Sequence, residues 1–378
     1  MPGGSAPHDR PTVATIHLAA VRANFAEARR RAEGREVFAV VKADAYGHGA
    51  PAVARALVEA GCRQLAVLSV DEACALRDAG VEIPILVMGG VYGAADVAVA
   101  QRLTPVVHHP GEIERLSAAA KARSTLLPVH VEIDTGMHRM GVAPEQALEL
   151  LAAVDAEPGL RLEGVYTHFA RADEPDLAPT LEQLAEFRRV LDAARERGID
   201  PGLVHCAHSA GLLAGKRIFD ALPEAGAVRP GLMLYGVHPA PHLEATLRPA
   251  MTLRTRVAHL RRLRAGDAVG YAALFRAERD TRVATLPIGY ADGVPIAASN
   301  RGSVLIRGRR LPVIGRVSMD YVTVDAGDAP VEIGDEVILF GEGSAGRLPV
   351  EEAAAAAGTI AYELLVRVGA RVPRSVEQ

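Results

Sequence analysis

A (β/α)8 barrel followed by a smaller, mostly antiparallel β domain is the fold class this α/β sequence predicts, and three observations predict it. From about Thr15 to Gly236, short β-branched runs alternate with Ala/Arg/Glu-rich amphipathic stretches, the pattern of βα units and a parallel sheet. Beyond Gly236 the rhythm changes to alternating strands broken by Gly-Asp and Gly-Arg turns, a composition that favours antiparallel pairing. With 378 residues, the chain exceeds one ordinary domain and has room for both.

In order, the barrel strands are expected at residues 37–42, 65–69, 85–88, 104–108, 129–134, 162–168, 203–208 and 227–229, with helical segments between most of them. The last two units are short, so a seven-plus-one count competes with a closed barrel of eight. The segments RLRAGDAVGY, SVLIRGRRLPVIG and EIGDEVILFGEG then supply strands and turns of the β domain. The stretch 238–249 holds three prolines and reads as a linker. The expected division is therefore a flexible N-terminus at 1–11, a cofactor-binding barrel at 12–245 and a C-terminal β domain at 246–378. Polyalanine at 353–357 is a good helix former.

A formal net charge of -4, with both signs scattered through the helical stretches, leaves no footprint for nucleic acid or a membrane surface. The expected partner is a small molecule. Cys62, Cys74 and Cys206 are odd in number and far apart, and no Cys/His ligand spacing is present, so neither a disulfide framework nor a metal site is expected. The opening MPGGSAPHDRP lacks an apolar leader core, and no later window offers the roughly 18 uncharged apolar residues of a spanning helix. A cytoplasmic protein is the expectation.

Barrel enzymes place their chemistry at the C-terminal ends of the strands. Lys42 ends the first expected strand, Arg139 follows the fifth, His168 ends the sixth, Ser209 follows the seventh and Arg229 ends the eighth. A lone lysine after an apolar strand is usually a snorkelling surface residue. Desolvated at a barrel mouth, however, an amine has its pKa lowered and becomes a nucleophile toward an aldehyde. Ser209 and the amides around Gly231 and Leu232 lie near the last strands, where barrels commonly build a phosphate site from backbone N–H groups. A lysine and a phosphate cradle on one rim describe pyridoxal 5'-phosphate (PLP).

Seven segments, VVKADAYGHG, DTGMHRMG, THFA, VRPGLMLYG, LPIGYADG, GRVSMD and AYELLVRVGARVPR, together resemble the alanine racemase family, in family order and across nearly the whole chain. The resemblance implies a PLP enzyme of a barrel followed by a β domain, a homodimer whose sites borrow residues from the partner, and L-alanine to D-alanine racemisation supplying D-alanine for peptidoglycan. Position by position, it implies that Lys42 carries the cofactor and serves as one acid/base group, with Tyr271 of GYAALF as the second. It implies that Tyr46, Ser209, Gly231, Leu232 and Tyr362 hold the phosphate and that Arg229 meets the pyridine nitrogen. His168 would link Arg229 to Tyr271, Arg139 would face the phenolic oxygen and the substrate carboxylate, and Met319 with Tyr290 would line the substrate entrance.

Independent chemistry supports these roles. Racemisation removes a proton from one face of Cα and returns one to the other, so two groups on opposite sides suffice. Lysine and tyrosine both start near pKa 10, so each must be lowered to act near neutrality, and Arg139, Arg229 and His168 supply a cationic neighbourhood for the phenol.

Two positions depart from the family. Glu132 stands where the family commonly has a lysine, carbamylated in several members, and His208 stands where it has asparagine. Alternation sends Val129, Val131 and Ile133 toward the helices and His130, Glu132 and Asp134 into the barrel. A buried Glu132 then needs a cation, and Arg139 is the nearest candidate in sequence. These departures bear on substrate breadth, so a broad-specificity amino-acid racemase of the same fold is the alternative. A non-catalytic PLP-binding barrel would lack the β domain that carries Tyr271, and a decarboxylase of the same fold would need a β-domain cysteine that is missing.

Overall fold

A computed structural model describes residues 10–344 and 346–378, so all but the last two residues of the expected flexible stretch 1–11 lie outside the described residues. The first strand, β1 (Val13–His17), stays outside the barrel, and the next eight close one. They are β2 (Glu36–Val40), β3 (Gln64–Val67), β4 (Ile85–Val87), β5 (Thr104–Val107), β6 (Leu127–Glu132), β7 (Leu160–Tyr166), β8 (Leu203–Cys206) and β9 (Ala227–Val228). Although β9 has only two residues, it pairs in parallel with both β8 and β2, which settles the count at eight.

Strands such as β4 and β9 are apolar throughout because both faces are covered, one by helices and one by the opposite barrel wall, whereas β6, β7 and β8 also carry polar side chains. Ile85, Leu86 and Val87 are wholly buried, and each such side chain contributes about 1.5–3 kcal/mol of burial. Inside the barrel lies a layer of rings, where His205 packs against Phe38, His130 and Tyr166 with centroids 5.2, 4.9 and 4.7 Å away.

The chain divides into two compact units whose main boundary, between Leu247 and Arg248, lies beside the expected residue 245, while two earlier segments fall outside the barrel unit. One unit holds residues 21–45 and 50–247, the barrel. The other holds 248–378 together with the segments up to Ala20 and Tyr46–Gly49. Its main sheet contains β1, paired antiparallel with β10 (Met251–Arg256) and parallel with β20 (Arg374–Glu377). Ala14 thus sits between Leu253 and Arg374, and residues 12–20 are not part of the barrel. The sheet continues from β10 through Glu336–Gly343 to Ser303–Ile306 and Arg309–Pro312, all antiparallel. A separate three-stranded antiparallel sheet and a short hairpin complete the unit.

One local feature bears on the site. The turn Lys42–Gly47 is helical, but Ala43, Asp44, Ala45 and Tyr46 have φ of 52, 53, 54 and 54°, so it winds left-handed. For residues with a Cβ, that hand costs roughly 1–2 kcal/mol each. Compensation comes from directed bonds: Ala45 N–H donates to Val41 O (2.9 Å), Ala43 N–H to Glu72 Oε1 (2.7 Å) and Ala50 N–H to Asp44 Oδ1 (2.6 Å). Glu72 is itself fixed, because its other oxygen accepts Leu68 N–H and Ser69 N–H as half of a capping box.

Candidate functional site

Lys42 is the second residue beyond β2, on the C-terminal rim of the barrel, and opens the left-handed turn. Burial and the nearby Arg139 lower its amine below the usual lysine value, with Arg229 adding to this and Glu72 and Glu132 opposing it. Among the described residues its Nζ has no hydrogen-bond or ion-pair partner. Burial and the charge of the two guanidinium groups make this half-buried amine give up its proton more readily, and the neutral form is the one that attacks an aldehyde.

Arg229 follows β9 and is 3% exposed. It donates through NH1 to His205 Nδ1 (2.7 Å) and through NH2 to Thr167 O (2.8 Å), and its guanidinium lies 4.3 Å from the centre of the Tyr166 ring. Because guanidinium only donates, His205 accepts at Nδ1, so its neutral ring carries the proton on Nε2 and donates it to His130 Nδ1 (2.7 Å). Burial and Arg229 keep His205 well below the usual histidine value, consistent with that neutral ring. His168 was expected to contact Arg229, but among the described residues the imidazole bonded to that guanidinium is His205. His168 packs instead beside His208, with centroids 5.1 Å apart, and burial and His208 push it well below its usual value.

Ser209 begins the helix Ser209–Ala214. Its Oγ accepts the N–H groups of Gly231 (3.0 Å) and Met233 (3.2 Å), strapping the loop after β9 to that helix and bringing Ser209, Gly231 and Leu232 together. The Leu232 N–H, first in the 3-10 turn Leu232–Tyr235, has no acceptor among the described residues. His208 caps the Ser209 helix, accepting Ala210 N–H on Nδ1 (3.1 Å). Asparagine would serve that place with a side-chain oxygen. The cap requires a neutral ring, and burial with Arg229 holds His208 down at about 4.

The loop carrying Arg139 is shaped by Asp134, whose Oδ1 accepts the N–H groups of Gly136, Met137 and His138 at 3.0 Å each. Burial opposes the charge on Asp134, but the His138 and Gly136 donors win and hold its carboxyl below the usual range. Glu132 points inward as expected and is 6% exposed. Its partners are different: Tyr166 Oη donates to Oε2 (2.9 Å), and the nearest basic group is His108, with Nε2 at 3.3 Å. No ion pair joins Glu132 to Arg139 among the described residues, which corrects the expectation from sequence proximity. Neighbouring barrel strands, not neighbouring residues, supply the partner.

In the other unit, Tyr46 is buried with its ring 6.2 Å from that of Tyr362, and burial raises its phenol. Tyr290 and Met319 are brought together by two backbone bonds, Tyr290 N–H to Ser318 O (3.0 Å) and Ala291 N–H to Met319 O (3.1 Å). The fully buried Asp292 anchors that pair of loops, accepting Gly289 N–H (2.9 Å) and ion-pairing with Arg10 (2.8 Å) and Arg371 (2.7 Å). Tyr271 opens the 3-10 turn Tyr271–Ala273 and is 70% exposed.

Sequence reasoning missed His108, Tyr166, His205 and Asp292. The first could have been found, because His108 ends an expected strand just as Lys42 and His168 do. The ring pairing of His205 needed the closed barrel.

Comparison with known proteins comes out uniformly. The chain matches the family models described as alanine racemase, N-terminal domain (residues 16–239) and alanine racemase, C-terminal domain (residues 250–376). It is 42% identical to the alanine racemase of Sorangium cellulosum, covering 97% of this chain and 98% of that one. The crystal structure of alanine racemase from D-cycloserine-producing Streptomyces lavendulae superposes with a TM-score of 0.92 at 39% identity, covering 98% of each chain. The alanine racemase of Bartonella henselae, solved with covalently bound pyridoxal phosphate, superposes at 0.88 with 30% identity, covering 97% of this chain and 99% of that one.

Proposed function

Because the chain belongs to the alanine racemase family, we propose that it interconverts L-alanine and D-alanine with pyridoxal 5'-phosphate bound at Lys42. The observation that carries the reading is the half-buried amine of Lys42, without a partner among the described residues, on the same barrel rim as the Ser209–Gly231–Leu232 cradle. The donor set fits the cofactor: a nucleophilic amine for its aldehyde, amides for its phosphate and a guanidinium for its ring nitrogen.

When bound, the cofactor supplies an electron-withdrawing system that acidifies the substrate Cα–H. Lys42 Nζ moves the proton on one face and Tyr271 Oη on the other. Arg139 receives the substrate carboxylate, and Tyr46, Ser209, Gly231, Leu232 and Tyr362 hold the phosphate. Arg229 would hold the ring nitrogen, as a guanidinium that donates there without giving up its proton. His168, kept neutral by burial and its cationic surroundings, adds no further positive charge beside Arg229. Met319 and Tyr290 line the entrance.

The exposure of Tyr271, Leu274, Tyr290, Met319 and Tyr321, at 70, 50, 42, 52 and 53%, supports a homodimer that covers these side chains. A cytoplasmic location and a supply of D-alanine for peptidoglycan complete the reading. Support for the location comes from three free cysteines, and no described helix is long and apolar enough to cross a membrane.

Borohydride treatment of the purified enzyme followed by peptide mapping tests the assignment. The reduced cofactor should be found on Lys42, alongside chiral chromatography showing alanine as the preferred amino acid. A label on another lysine overturns it.

A further inference from the structure

Three ionisable side chains meet beside the ends of β5 and β6, all nearly sealed from solvent: His108 at 7% exposure, Glu112 at 5% and Glu132 at 6%. His108 Nε2 lies 3.3 Å from Glu132 Oε2, and Nδ1 lies 3.5 Å from Glu112 Oε2. Neither ring nitrogen reaches hydrogen-bond geometry with any described residue, so these contacts act through charge and not as directed bonds. Glu112 is fixed independently, because its Oε2 accepts the backbone N–H of His108 at 2.7 Å. Glu132 is fixed from the other side by Tyr166 Oη.

Two glycines close the pocket. A Cβ at Gly90 would lie 2.5 Å from Glu112 Oε1, and one at Gly141 would lie 3.0 Å from Glu132 Cγ. The charged and titratable groups facing His108 are therefore Glu112 of its own helix start, Glu132 of β6 and, through Glu132, Tyr166 of β7. The exposed His109 reaches only Glu112, at 3.9 Å. Among the described residues no arginine or lysine lies within ion-pair distance of either carboxylate. Two buried carboxylates facing one ring, with no other cation within ion-pair distance among the described residues, favour the charged ring, because buried charges need opposite charge nearby.

We propose that His108 is a positioning residue of the racemisation site, an imidazolium clamped between Glu112 and Glu132 that keeps Glu132 a fixed carboxylate at the barrel mouth. The link to chemistry is Lys42: the charge of Glu132 raises that amine while Arg139 and Arg229 lower it, so His108 tunes the reactive group without touching it. Although burial disfavours the charged ring, the two carboxylates push His108 up to about 9, in keeping with the geometry. The inference rests on Lys42 being the reactive amine, and it fails or survives separately from that assignment.

The test uses holoenzyme labelled with carbon-13 at histidine Cε1, the His108 signal being identified by its loss in His108→Gln. That signal should be protonated at pH 7 and titrate near 9, and in Glu132→Gln its midpoint should fall. A ring that is neutral at pH 7 overturns the proposal whatever the variants do. In kinetics, His108→Gln and Glu132→Gln should each lower kcat/KM on the order of tenfold, and the double variant should lose no more than either single, since both remove one ion pair. Multiplicative losses approaching a hundredfold would show that His108 does not act through Glu132. Cofactor mapped to another lysine would sink the Lys42 assignment while leaving the His108 titration standing.

Discussion

Replacing Ala43 with glycine should stabilise the protein, the reverse of what the same change does in an ordinary helix. In a right-handed helix, Ala→Gly costs about 1 kcal/mol, because glycine gains more backbone freedom in the unfolded chain. Ala43 is solvent-exposed and has φ 52°, where a Cβ costs roughly 1–2 kcal/mol. Removing the Cβ releases that strain, and the added unfolded-state entropy takes back about 0.5–1 kcal/mol. The net expectation is about 0 to 1.5 kcal/mol of added stability, with no packing lost. The control is Ala153→Gly, an exposed alanine in the right-handed helix Pro144–Asp155, which should lose about 1 kcal/mol. Urea denaturation followed by circular dichroism, on enzyme at matched concentration and saturating cofactor, compares the two. Turnover should move the other way, because the strained turn fixes the residue next to Lys42, and loosening it lets the amine wander. If Ala43→Gly destabilises as much as Ala153→Gly, the left-handed turn is not strained and the reasoning fails.

Other outcomes test the site. Tyr271→Phe should still exchange the Cα proton of D-alanine in deuterated water but exchange that of L-alanine far more slowly, with net interconversion down by roughly a hundredfold or more; equal exchange of both enantiomers would mean one group serves both faces. His208, neutral in the fold at about 4 and near 6.5 unfolded, contributes stability that is present above pH 6.5 and lost as pH falls toward 4, on the order of 2 kcal/mol by pH 5. His208→Asn keeps a cap acceptor, so denaturation at pH 8 should match the parent while the loss between pH 8 and 5 shrinks by that amount, and an unchanged loss would refute the buried neutral ring. Mixing inactive Lys42→Ala and Tyr271→Phe chains should restore up to about a quarter to a half of activity if each site draws on both subunits of an isologous dimer, and proven heterodimers without activity would place each site within one chain.

The barrel was legible because short β-branched runs alternate with amphipathic helical stretches, and each expected strand overlaps an observed one. Their ends were less so. The expected strands run to Lys42, Ser69, His108, His168 and His208, whereas the ladders stop at Val40, Val67, Val107, Tyr166 and Cys206. Hydrogen-bonded pairing ends just before the functional side chains, which leaves their backbone free to turn. The turn after Lys42 could not be read at all, since Ala-Asp-Ala-Tyr has no glycine to signal positive φ and scans as ordinary helix. Val13–His17 was unreadable for another reason: five residues carry little signal, and both partners lie about 230 residues or more further along the sequence. The partner of Glu132 was misjudged because Arg139 is seven residues along the chain while His108 is one barrel strand away, and strand neighbours meet in space before loop neighbours do.

The placement of β1 sets a timetable for synthesis. A ribosome working at about 5–20 residues per second delivers β10 roughly 10–50 s after β1, since about 230 residues separate them, and β20 comes later still. The barrel strands are made during that interval, while Val13–His17 waits as a bare strand with both edges open. An unpaired edge is a template for other chains. Crowding on a polysome should therefore endanger this segment more than any barrel strand, and a holding chaperone that binds short β-branched peptides would act here first.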